Sequence, residues 1–345
     1  MAKLLFALPL AFVALLVACE NGDGGEVSST VDVTPAVTVS PQPEGETPTP
    51  QAELQPTPSE TPTPQAELKF DSPAVTSDPF NDPGGPFYHQ ILKASSPDGV
   101  NFMKEEGVVF DKASVPDAIR LPSGRLVVYA VDGARRSNSG IMVAISDDDG
   151  QTWQQGSVQL ESPMNFGGAD PEVVLLPDDK LRIYYVVFPM IGQPGMIDPE
   201  IKNKVFSAVS SDGINFQEED GVRFEHAQIT DPDVVKIGDK WFMYLAQGPR
   251  LIAATSPDGL NFQLEATIRE QGSVSNTVPI GDNLWRQFFC DRGIRSAITS
   301  DGLAWQDDSG FRLQPESDRI MCDPVPVQVG PNWLLFYKVG PGIAP

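Results

Sequence analysis

Ser146-Asp147-Asp148-Asp149-Gly150-Gln151-Thr152-Trp153 is the stretch on which the reading of the fold turns. An Asp-Gly step between two strands makes a tight hairpin, because Gly accepts a positive φ and Asp hydrogen-bonds its own backbone. The pattern returns four times, as Ser96-Pro97-Asp98-Gly99 to Phe102, Ser211-Asp212-Gly213 to Phe216, Ser256-Pro257-Asp258-Gly259 to Phe262 and Ser300-Asp301-Gly302 to Trp305. The five glycines recur every 43 to 63 residues. A period of that size is the signature of stacked or radial repeats. One copy would say little; five in phase define a unit. The aromatic closing each turn is expected to fold beneath it and pack between neighbouring sheets.

Working outward, each of the last four turns is preceded by a short strand rich in Ala, Ile, Val and Ser, such as Ile141 to Ser146 or Leu251 to Ser256. A second repeat interleaves with the first: an apolar strand, a turn, and an aromatic strand. It reads Pro116-Asp117-Ala118-Ile119 before Arg125 to Tyr129, Asp170-Pro171-Glu172-Val173 before Leu181 to Tyr185, and Asp231-Pro232-Asp233-Val234 before Trp241 to Tyr244. Asn276 and Asp323 open the fourth and fifth copies. Four strands per unit is the size of a propeller blade. The chain begins with third and fourth strands (Phe87 to Ser95, Phe102 to Phe110) and ends after a second strand near Tyr337. The expectation is therefore an all-β, five-bladed β-propeller whose last blade is completed by N-terminal and C-terminal strands, a closure that leaves no open sheet edge.

The flanking sequence sets the compartment. Residues 1–18 carry one cation, Lys3, then an apolar run from Leu4 to Val17 that is shorter than the roughly 20 residues of a membrane-spanning helix, which reads as a signal peptide. Leu16-Val17-Ala18-Cys19 resembles the lipobox of bacterial lipoproteins, which implies lipidation of Cys19, with the membrane engaged only through that anchor. Residues 19–80 are rich in Thr-Pro steps and repeat a nine-residue segment at Glu46 and Glu60, the composition of an extended polyproline-type tether rather than a core. The folded domain is expected over residues 81–345, as an extracytoplasmic monomer. A net charge of −23 argues against nucleic acid and anionic lipid as partners. Cys290 and Cys322 remain for a disulfide in an oxidising compartment. By the topology above, both fall on the channel-mouth face in adjacent blades, close enough to bridge.

The turn at Ser146 to Trp153 resembles the Asp box of sialidase-type propellers. The Asp-Pro-x-Val-Val strands followed by aromatic strands resemble the five-bladed furanosidase clan of arabinanases, xylosidases and invertases. That resemblance spans about residues 87 to 340. It implies an Asp on the first blade as base or nucleophile, which Asp117 matches, and an Asp on the second as an orienting group, which Asp170 matches. It also implies a Glu acid on the third blade, where this chain has Asp231 and Asp233 instead.

In such a blade the first strand lines the channel, so its opening residues converge. Asp117, Glu172 and Asp233 share one register and are the catalytic candidates; Val278 and Val325 are read as their apolar counterparts in blades 4 and 5. Asp170, Asp231 and Asp323, each directly before Pro, are candidate substrate-binding acids, although an Asp in that position also caps turns. Carboxylates sharing one funnel repel, which raises the pKa of at least one, the setting a glycosidase needs. Arg135, Arg136, Arg250 and Arg292 are expected in loops on the same face, with His226 in another, and an arginine group of that kind suits an anionic sugar. No nucleophilic Ser or Cys constellation and no phosphate loop is present, and Ca2+ held by channel carboxylates is a candidate cofactor. The function expected is that of a carbohydrate-active propeller, a glycosidase acting on glycan or polysaccharide. A non-catalytic glycan- or protein-binding propeller is the alternative, and an exo-sialidase-like hydrolase the third.

Overall fold

The computed structural model of the protein describes residues 68–162, 167–188 and 202–342. The expected signal peptide, Cys19 and most of the expected tether lie outside the described residues. Five antiparallel sheets form the blades of a propeller. Blade 1 runs through Ala113–Arg120, Leu126–Asp132, Ile141–Ser146 and Gln154–Ser157. Blade 2 holds Ala169–Leu175, Leu181–Val187, Lys202–Ser210 and Asn215–Glu218, with Gln159–Glu161 added in parallel on its outer edge. Blade 3 (Ile229–Ile237 to Gln263–Arg269) and blade 4 (Ser273–Gly281 to Gln306–Asp307) are sequential four-stranded meanders. Blade 5 is composite, as the phase of the repeats requires: Arg319–Val329 and Asn332–Pro341 pair onward to Gln90–Ser96 and Met103–Lys104. The seven-residue register between Gln90–Ser96 and Trp333–Val339 joins the two ends of the domain.

The repeated turns explain why the blades stack. In each, a hydroxyl and the Asp carboxylate gather the turn amides: Ser146 Oγ donates to Asp148 at 2.7 Å, and the same carboxylate accepts the Thr152 amide at 2.9 Å. The glycine takes the left-handed φ that this loop needs, between 66° and 83° in all five copies. In blades 2 and 4 the hydroxyl comes from Ser210 and Thr299, one residue earlier than Ser211 and Ser300. The position between hydroxyl and Asp is thus the variable one, where Pro97, Asp147 and Pro257 also stand.

The closing aromatic crosses to the previous blade. Phe216 packs edge-on against Tyr129, Phe262 against Tyr184, Trp305 against Tyr244, Phe102 against Phe288 and Trp153 against Phe336. Such pairs contribute about 0.5 to 1.5 kcal/mol beyond their buried area. Where the partner is Tyr, its hydroxyl also donates to the carbonyl of the turn glycine, at 2.8 Å to Gly213, Gly259 and Gly302. Phe288 and Phe336 lack that hydroxyl. There Arg286 reaches Gly99 O and Lys93 reaches Gly150 O, so all five boundaries keep a donor on the turn.

Ordered contacts begin before residue 81. Leu68 and Phe70 pack on the cores of blades 1 and 2 and of blade 1 against blade 5, the Ser157 amide donates to Lys69 O, and the Ser72 and Val75 amides donate to carbonyls of the 134–136 loop. Apolar Leu68 and Phe70 are the physical reason, since both bury apolar surface against the blades.

Candidate functional site

The five inner strands share a bulge at the channel mouth. Each ladder shifts register after its opening residues, and there Val115, Asp170, Asp231, Val274 and Asp323 take φ between 44° and 55°. A β-branched residue with positive φ is strained, and four of the five also precede proline, which narrows the backbone further. These five residues ring a mouth cavity of about 20 Å³, room for about one water. Local strain repeated in every blade is held by the ring closure rather than by local preference.

This alignment corrects the fourth blade. Val274, not Asn276, is the counterpart of Asp170, so Asn276 falls in the register of Asp117, Glu172, Asp233 and Val325, and Val278 does not. Without an Asp-Pro step, the sequence offered no mark of the bulge. Asp117, Glu172 and Asp233 form a deeper layer and are 3 %, 5 % and 0 % exposed. Each carboxylate accepts a backbone N–H from the next blade: Val173 to Asp117 at 2.6 Å, Val234 to Glu172 at 2.9 Å, and Thr277 to Asp233 at 2.9 Å. Asp233 also accepts from Ser275, Thr277 Oγ1 and Gln287. Asn276 Nδ2 spans the channel to Asp117 at 3.0 Å. The series stops at blade 5, where the matching position is Pro326, which has no N–H to offer.

Burial, with the charge of Asp233 added, raises Asp117 to about 7. Burial and the charges of Asp117 and Asp233 push Glu172 well above the carboxylate range, and burial raises Asp233 against its four donors. In the mouth layer, burial and the neighbouring Asp231 raise Asp170 well above its usual value, and burial and Asp323 raise Asp231 to about 6. Asp323 is paired with Lys338, whose Nζ is 2.6 Å from Oδ2. Burial opposes the Lys338 charge, but Asp323, Asp231 and Asp170 together outweigh it and raise its pKa. The mouth therefore combines one fixed ion pair with two carboxyls poised to hold protons.

Lys338 escaped the sequence reading because its strand was ended at Tyr337; it continues to Pro341. The available signal was a charge within an apolar run, at the position that is Val131, Val186, Ala246 and Cys290 in the other blades. His89 was missed too. It is buried against Gly340, its Nδ1 lies 3.0 Å from Ser114 Oγ, and burial followed by the Lys338 charge lowers its pKa. Cys290 and Cys322 are bonded to each other with Cα atoms 5.3 Å apart, and the Asp323 amide donates to Cys290 Sγ. Among the described residues, the only group of three or more Cys, His, Asp and Glu ligand atoms close enough to share an ion is that of Cys290, Cys322 and Asp323, and there the sulfurs are already joined. The channel carboxylates do not form such a group.

The arginines do not gather. Arg136 turns inward to Asp132 and to the carbonyls of Asp111 and Lys112. Arg250 bonds Gln247, and Arg292 pairs with its neighbour Asp291. His226 lies in the strand Phe224–Ala227 rather than in a loop, stacked on Phe224 and 3.1 Å from Gln247. Arg135 alone of the four lines a large groove, about 650 Å³, which runs between blades 1 and 2 from Phe80 and Pro86 to Asp170. That volume is in the range of ligand sites, about 300 to 1,000 Å³.

No protein-family model matches the chain, and no curated protein matches it. Among solved structures, the GH43 BlXynB protein from Bacillus licheniformis has 13% sequence identity and a TM-score of 0.51 over 75% of this chain and 50% of that one. A thermostable family-43 glycoside hydrolase gives 13% identity and a TM-score of 0.49 over 68% and 95%, and an α-L-arabinanase from Penicillium chrysogenum 12% and 0.47 over 70% and 75%. The likeness to the BlXynB protein is one of fold alone.

Proposed function

We propose that the protein is an extracytoplasmic carbohydrate-active propeller, a glycosidase that works where the groove meets the channel mouth. The observation that carries this reading is the mouth layer itself: Asp170, Asp231 and Asp323 converge from three blades on one buried ammonium, Lys338. Asp170, at the groove's end, is a carboxyl whose pKa burial and Asp231 push well above the usual carboxylate value, the direction a general acid requires. Asp231 is the partner carboxylate, and Asp323 with Lys338 fixes the local charge. In this reading the catalytic role read from the sequence for Asp117, Glu172 and Asp233 passes to the outer layer, since each deeper acid gives one oxygen to an amide of the next blade at 2.6 to 2.9 Å, whereas the corresponding contact of Asp170, from the Asp231 amide, is longer at 3.3 Å.

A second reading, a propeller that binds glycan without turnover, is favoured by the narrow mouth cavity. A panel of aryl glycosides run beside a glycan array separates the two. Hydrolysis lost in Asp170→Asn and Asp231→Asn supports the enzyme, whereas glycan binding with no turnover by the unaltered protein sinks it in favour of the binding module. The extracytoplasmic, lipid-anchored placement rests on Leu16 to Cys19 and is supported by the Cys290–Cys322 disulfide, since such bonds persist in oxidising compartments. Metabolic labelling with a radioactive fatty acid tests it: label absent from the protein, or unchanged in Cys19→Ala, refutes the anchor.

A further inference from the structure

We infer that the groove between blades 1 and 2 carries a carboxylate subsite, with Arg135 as the residue that selects an acidic sugar; this rests on the glycan reading above. The chain holds 47 acidic residues against 24 Lys and Arg. In such a background arginines find acceptors, and every other arginine among the described residues does so, whether a carboxylate, an amide oxygen or a backbone carbonyl. Arg135 has no hydrogen bond or ion pair among the described residues. Its guanidinium carbon lies 5.4 Å from the centre of the Phe80 ring. Both residues line the 650 Å³ groove.

The loop that presents Arg135 is built rather than loose. The Asp132 carboxylate accepts the amides of Ala134, Arg136 and Ser137, and the Arg136 guanidinium as well. The Asn138 amide is fixed from the other side by Asp71 at 2.9 Å. With residues 134, 136, 137 and 138 tied, residue 135 stands at the crest with a left-handed φ of 52°. Arg136 neutralises Asp132, so the groove wall beside Arg135 offers no competing ionised acceptor. At the far end of the groove, Asp170 takes up a proton readily and so does not repel an anion as a charged carboxylate would. A guanidinium held over an aromatic ring, with its donors unspent, suits bidentate recognition of a sugar carboxylate.

Binding is measured by calorimetry at low and high salt with two acidic probes, trigalacturonate and sialyl-lactose, each against its neutral counterpart, carboxyl-reduced trigalacturonate and lactose. The expected result is that at least one acidic probe binds about tenfold or more tightly than its counterpart at low salt. That preference should fall at high salt, vanish in Arg135→Gln and persist in part in Arg135→Lys. Which acidic probe binds tells a uronate from a sialate. Since Arg135 makes no polar contact among the described residues, both variants should melt with the unaltered protein. Equal binding of acidic and neutral probes, or a preference that Arg135→Gln leaves intact, overturns the inference while leaving a glycan-binding propeller. Binding of neither class in these arms or on the glycan array overturns the glycan reading itself.

Discussion

Lys338 Nζ lies 2.6 Å from Asp323 Oδ2 at a channel mouth where Asp231 and Asp170 also act on the ammonium. The pair has two roles. It sets the ammonium against the buried Asp323 carboxyl, and Asp323 in turn is part of what raises Asp231.

Removing the ammonium should therefore do more than open a cavity. In Lys338→Met, Asp323 stays buried without a counter-charge, a change worth about 3 to 5 kcal/mol in comparable pairs. The expected result is a melting temperature well below that of the unaltered protein at pH 8, a smaller deficit at pH 5, and partial recovery in Lys338→Met/Asp323→Asn. A deficit independent of pH would show that Asp323 is not the group left uncompensated.

The proton balance of the whole domain predicts a stability maximum in mild acid. Asp117, raised to about 7, and Asp231, raised to about 6, hold protons in the folded chain that the unfolded chain has lost above about pH 4. The folded state thus binds more protons over that window, and stability falls as pH rises from about 4 to about 7. The turn aspartates Asp98, Asp148 and Asp258 act in the opposite direction. Hydrogen bonds from turn amides and hydroxyls hold them below the usual carboxylate range, so their contribution is present above about pH 4 and lost below it. Urea midpoints across pH 3 to 9 should peak at about pH 4. A midpoint rising steadily to pH 8 would contradict the burial of ionisable carboxyls in the channel.

The tyrosine pins give a graded series. Tyr129→Phe, Tyr184→Phe and Tyr244→Phe each remove a hydroxyl that donates to a buried glycine carbonyl. Each should cost about 1 kcal/mol while leaving the edge-on ring packing in place. Because the three lie at different blade boundaries, the triple variant should lose about the sum. Denaturant titration of the four proteins checks this, and unchanged stability of all three single variants would mean that water replaces the donor without loss.

Reducing the Cys290–Cys322 bond should destabilise the domain by about 3 to 4 kcal/mol, as expected for a closed segment of 32 residues. Thermal melting with and without reductant measures it, and Cys290→Ala/Cys322→Ala should match the reduced protein. Recovery of both cysteines as free thiols in non-reducing peptide maps of exported protein would remove the basis for this expectation.

What the sequence by itself determined is the blade: an Asp-Gly turn, its aromatic and the strand lengths are local features, so five copies gave the fold, the composite closure and the channel acids. Even the disulfide followed from strand order. The roles of those acids were decided only by the ring. Asp117 and Glu172 read alike with Asp170 and Asp231 as acids near a strand start, yet a shared bulge offsets the inner strands and sets the acids in two layers, of which the outer one gathers about Lys338. Asn276 took its register from that bulge, Lys338 was placed beside Asp323 by the pairing of the last two strands, and Arg135 was singled out only when every other guanidinium had found its acceptor. Register, burial and the sharing of partners between blades are properties of the closed structure, and no local pattern carries them.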